Sequence, residues 1–134
     1  MVAERTTDGV RIAQLLASEL VGDRDRLRDV SVGDADPDVD ASPDGTLAYR
    51  VRRSSDPDDG DPTAVAEVFV HPDRARVEFL AAPDAAATAA SAAGLRVRPK
   101  AVTPPRTVVF VADGAQVKRV LSAFVAAVGE DGGD

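Results

Sequence analysis

The chain has 134 residues, 44% of them hydrophobic, which suits one domain with a modest core. It contains no cysteine, which excludes disulfides, thiolate metal sites and a cysteine nucleophile, and no run of about 18 apolar residues, so no membrane-spanning helix is expected. Its net charge of −7 comes from 18 Asp and 5 Glu against 14 Arg and 2 Lys, an acidic surface built on short carboxylate stems.

The opening "MVAERTTDG" lacks a basic stretch followed by an apolar one, so it does not read as a secretory signal, and a cytoplasmic location is expected. Residues 7–21 place Val10, Leu16 and Leu20 on one stripe with Ile12 and Leu15 beside them, which predicts an amphipathic helix capped by Thr7 or Asp8. A short strand is expected at 28–32, and "GDADPDVDASPDG" after it reads as a polar acidic loop. Residues 46–53 alternate as a strand, with Leu47, Tyr49 and Val51 on one side and Ala48, Arg50 and Arg52 on the other. A second acidic loop, "SSDPDDGDP", leads to strands at 64–71 and 75–81 joined by a tight turn at "HPDR".

Pro83 and Asp84 open an Ala-rich helix over 83–93 that Gly94 ends. Strands follow at 95–102 and 106–112, with a turn at "TPP" between them. Pro99 has no N–H to give to a ladder, so 95–102 is expected at a sheet edge. Asp113 caps the last helix with Gln116 in capping-box spacing, and Val117, Val120, Leu121, Phe124 and Val128 form its stripe. Segments 1–5, 33–44, 54–62 and 130–134 are expected to be mobile.

The predicted fold is α+β: a two-layer, mostly antiparallel sheet of five or six strands with three helices, in the order α-β(β)ββ-α-ββ-α. This order resembles that of type III secretion chaperone-like folds. "DGVRIAQLLASEL", "VAEVFVHPD" and "LRVRPKAVTPPRTVVFV" together resemble small haloarchaeal protein families of unknown function, over most of the chain. The Asp-rich, Lys-poor composition looks like that of a salt-in halophile, where screening at molar salt suppresses carboxylate repulsion. The same composition also arises in acidic proteins of high-GC mesophiles. The resemblance implies no activity and carries over no functional residue.

Chemistry-bearing patterns are sparse. His71 is the single histidine, at a turn, and cannot build a His-rich zinc site. Asp34, Asp36, Asp38 and Asp40 imitate the start of a calcium loop. However, Pro37 stiffens the turn, Val39 replaces the glycine and Gly45 stands where a bidentate Glu belongs, so a solvated loop is expected. Glu67 and Glu78 can face each other across the strand pair, either as a carboxylate pair for acid-base work or, as expected, as solvent-facing positions paired with Arg76 or Arg50. The small side chains of 83–93 suit close core packing or a dimer contact. No phosphate loop, nucleophile elbow or metalloprotease helix is present. No catalytic, cofactor or metal residue is assigned, and no small-molecule ligand is indicated.

One stretch stands apart. Between Asp84 and Asp113 lie 28 residues without an acid, carrying Arg96, Arg98, Lys100 and Arg106. On a strand the first three project to one side while Leu95, Val97 and Ala101 face the core, and Arg106 joins them across the turn. Three readings of this basic ribbon stand open: neutralisation by the protein's own acidic loops, a protein partner or second copy, or a phosphate-rich ligand such as nucleic acid. The expectation is a non-enzymatic interaction module using 95–106, with a protein partner or homodimer preferred to nucleic acid. The alternative is a nucleic-acid-associated regulator.

Overall fold

The computed structural model describes residues 8–23, 25–36, 38–54 and 63–132. Its elements are α1 (Gly9–Gly22), β1 (Val30–Gly33), β2 (Thr46–Arg53), β3 (Thr63–His71), β4 (Arg74–Phe79), α2 (Pro83–Ala92), β5 (Arg96–Lys100), β6 (Arg106–Val111) and α3 (Gly114–Gly132). The six strands form one antiparallel sheet in the order β1-β2-β3-β4-β6-β5. This is the expected α+β fold, with the 28–32 strand present as β1 and β5 at an edge. Of the segments expected to be mobile, 1–5, 55–62 and 133–134 lie outside the described residues.

Local chemistry sets the element ends. Asp8 caps α1 by accepting from the Arg11 amide at 3.1 Å, satisfying a donor that the first turn leaves free. α2 begins at Pro83, whose missing N–H costs nothing there, after Ala82 in a left-handed conformation. It ends in a Schellman motif: the Gly94 amide donates to Ser91 and the Leu95 amide to Ala90, with Gly94 at φ 81°. Asp113 Oδ1 accepts from the Gln116 amide at 3.0 Å, and Gln116 Oε1 reaches back to the Ala112 amide at 2.8 Å, closing the capping box of α3.

The helices pack on one face of the sheet. Alternate residues of the inner strands (Val68 and Val70 of β3, Val77 and Phe79 of β4, Val109 and Val111 of β6) meet Ile12, Leu16 and Leu20 of α1 and Val117, Val120 and Phe124 of α3 in one core. Phe79 and Phe124 are its aromatic centre, with ring centroids 4.8 Å apart and a 58° tilt. Tyr49 joins from β2 and donates its hydroxyl to the Ala13 carbonyl at 2.7 Å. Burial pushes that phenol's pKa well up.

Two expectations about facing are corrected. Ala48 is buried beside Tyr49 instead of pointing away from it, and Leu47 pairs with Phe69 on the opposite face instead of siding with Tyr49, because a register shift between Leu47 and Tyr49 against β3 adds a residue to β2. Ala101 is exposed, because β5 stops at Lys100 and the chain has already turned away from the core.

A basic sheet face as candidate functional site

Among the described residues no helix covers the second face of the sheet, and alternation decides what stands on it. From β5 rise Arg96, Arg98 and Lys100, and from β6 Arg106, directly opposite Lys100. All four ribbon residues therefore share one face. The strand periodicity adds four cations that a search for an acid-free stretch passes over: Arg50 and Arg52 of β2, and Arg74 and Arg76 of β4. Their carboxylate partners are Asp34, Glu67, Glu78 and, at the β3–β4 turn, Asp73. Among the described residues these eight cations meet four anions, an excess of four positive charges on a chain of charge −7.

These charges divide into two zones. In the first, ion pairs cross the sheet. Asp34 lies between Arg50 and Arg52 at 3.2 and 2.7 Å, and the two guanidiniums hold its carboxyl below the usual range. Arg50 also bonds Glu67 at 3.1 Å, and Arg106 joins Glu67 to Glu78 at 3.0 Å each. Arg76 and Lys100 complete the set on Glu78 at 2.9 and 3.0 Å. Glu67 and Glu78 are directly opposite, as expected, but Glu78 is 1% exposed rather than solvent-facing. Burial alone would raise its pKa. The hydrogen bonds from Lys100 and Arg106 and the charge of Arg76 outweigh that and hold the carboxyl below its ordinary value. Among the described residues, Lys100 and Arg106 thus find their counter-charges within the sheet, on Glu67 and Glu78.

In the second zone the cations have aromatic neighbours. Arg74, Arg96 and Arg98 stand 5.6, 5.9 and 6.0 Å from the Phe110 ring centroid, and Arg76 stands 4.4 Å from that of Phe69. Arg96 and Arg98 are exposed and have no carboxylate partner among the described residues. A cavity of about 480 Å³ opens here, walled by Arg74, Arg96, Arg98, Phe110, Asp73 and Gln116. Its size is within the range of ligand pockets.

His71 closes one end of the face. It is 3% exposed, and Arg76 Nη1 lies 2.9 Å from its Nε2. A guanidinium only donates, so Nε2 accepts, Nδ1 carries the proton, and Nδ1 donates to the Pro43 carbonyl at 3.0 Å. Burial, with the charges of Arg74 and Arg76, holds the imidazole pKa down against the opposing Pro43 hydrogen bond. The histidine is a clamp between the 42–45 loop and β4. In the acidic loop, Asp34 is engaged by arginines and Asp36 accepts from the Asp38 amide at 3.0 Å. Among the described residues no three His, Asp or Glu side chains gather as a metal site, and no helix is long and apolar enough to cross a membrane.

A protein-family model described as a family of unknown function (DUF7993) matches residues 1–134. No curated protein and no solved structure matches the chain.

Proposed function

The chain belongs to the DUF7993 family, and on that premise we propose that it is a non-enzymatic binding module whose helix-free sheet face takes an anionic partner. One observation carries the reading: Arg96 and Arg98 are exposed, without a carboxylate partner among the described residues, and converge with Arg74 on Phe110 at the mouth of a cavity. Guanidiniums held over an aromatic ring are oriented before a ligand arrives, which lowers the ordering cost of binding. Lys100 and Arg106, paired with Glu78, support the floor beside them and remain partly exposed.

The test is the double substitution Arg96→Glu and Arg98→Glu. Both side chains are exposed, so the change is expected to move stability by no more than about 0.5 kcal/mol. Light scattering after size exclusion, a thermal melt and an inventory of co-purifying material are run on variant and parent. Loss of the partner or oligomer with an unchanged melt supports the module. An earlier melt with unchanged mass and ligand shows that the arginines serve only the fold.

A further inference from the structure

We infer that the partner of this face is a single-stranded nucleic acid, lying along β5 with its phosphates on Arg96 and Arg98 and a base against Phe110. The inference rests on the binding-module reading above and gives the partner's class. It is carried by two observations about how the side chains are arranged across and along the sheet.

Across the sheet, the registers Phe69↔Arg76, Arg76↔Phe110 and Phe110↔Arg96 place aromatic, cation, aromatic, cation in one row over β3, β4, β6 and β5. Arg76 already stands over the Phe69 ring at 4.4 Å, held there by Glu78 and His71, so Phe110 is the ring left beside β5. Bases stacked in a duplex turn their faces to one another, so a duplex offers no base face to that ring. A single strand can splay a base onto it, with its phosphates on Arg96 and Arg98. A broad sheet face also fits poorly into a major groove about 12 Å wide.

Along β5, the 480 Å³ cavity adjoins one of about 280 Å³ that shares Arg98 and Phe110 with it. The second shares Lys100 with a third of about 200 Å³, which ends at the Thr103–Pro105 turn. Arginine, arginine and lysine thus mark one continuous track, the shape a linear polyanion requires. An acidic protein would match the charge, but it gives no reason for the Phe110 ring beside the track.

The experiment measures fluorescence anisotropy of a labelled single-stranded oligonucleotide with the full chain over a KCl series, with circular dichroism checking the fold at each salt. A duplex of the same length, polyphosphate and polyglutamate are the competitors. The oligonucleotide is expected to bind tightest. Arg96→Glu with Arg98→Glu is expected to lower its affinity at least tenfold and to reduce the salt slope by about 1.4, which is 0.7 for each lost phosphate contact. Phe110→Leu keeps apolar bulk but removes the flat ring. It is expected to lower single-strand affinity about tenfold and polyphosphate affinity by clearly less, because polyphosphate loses only the orientation of the arginines and no stacked base. Single strand and duplex binding alike, with Phe110→Leu silent, would overturn the inference. Polyglutamate outcompeting the oligonucleotide would also overturn it, in favour of an acidic protein, while the binding module stands. No polyanion binding to the folded parent at any salt would overturn both.

Discussion

Glu78 is the residue on which the basic face depends. It is buried and holds Arg76, Lys100 and Arg106 within 3.1 Å, three cations that would otherwise repel one another. Glu78→Gln keeps the shape and removes the charge, and is expected to cost about 1.5–3 kcal/mol near neutral pH, the range for hydrogen bonds to charged groups. The pH dependence follows from the depressed carboxyl. Above the ordinary value of 4.5 the ionised form stabilises the folded state, and that contribution is lost as pH falls below 4.5 through the lower folded-state value. Parent and variant melts should therefore converge at acid pH. A gap that persists at the acid end would show that the charge is not the cause. Arg96 and Arg98 lack such a carboxylate among the described residues, which sets them apart as the groups available to a ligand.

At the scale of elements, α1 and the β3–β4 hairpin are joined by a close backbone approach. The Gly9 amide donates to the Pro72 carbonyl, and a Cβ on Gly9 would collide with the carbonyl oxygens of His71 and Arg74. Replacing glycine by alanine inside an open helix stabilises it by about 1 kcal/mol. At Gly9 the collision should reverse the sign, because the obstacle is backbone and the helix must shift. Gly9→Ala is expected to destabilise by about 1–3 kcal/mol. Gly22, at the other end of α1, has nothing within 4 Å of such a Cβ, so Gly22→Ala should be neutral or stabilising. Urea unfolding of the two variants decides it: equal effects would mean that the α1–hairpin contact does not constrain the fold. The same hairpin carries His71, Arg74 and Arg76, so a shift of α1 is transmitted to one end of the basic face.

At the scale of the whole molecule, a chain of charge −7 carries mutually repelling carboxylates, while the described residues of one sheet face are positive by four. Salt screens the long-range repulsion between exposed carboxylates, with a Debye length of about 3 Å at 1 M, and acts less on the enclosed pairs around Glu78. We expect the melting temperature to rise from low to multimolar KCl, read by far-UV circular dichroism. A midpoint that does not move would remove the argument for adaptation to high salt.

The residues alone determined the strands and helices where the pattern is local. The two-residue period of 46–53, the Asp8 and Asp113 caps, Pro83 and Gly94 at the two ends of α2, and Pro99 at a sheet edge all act through near neighbours or through the backbone's own chemistry. Local pattern also placed Glu67 opposite Glu78, since a tight hairpin fixes its register. The same period in β2 and β4 pointed Arg50, Arg52, Arg74 and Arg76 outward. What made them part of one site was that their strands lie beside β6 and β5 with the same face uncovered. That strand order, the row from Phe69 to Arg96, and the division of the ribbon into neutralised Lys100 and Arg106 and available Arg96 and Arg98 were decided by tertiary structure. Each depends on residues up to 39 positions apart, as Glu67 and Arg106 are, meeting across strands. No window of sequence records which strand will lie next to which, because that choice is made by the burial of the opposite, apolar face.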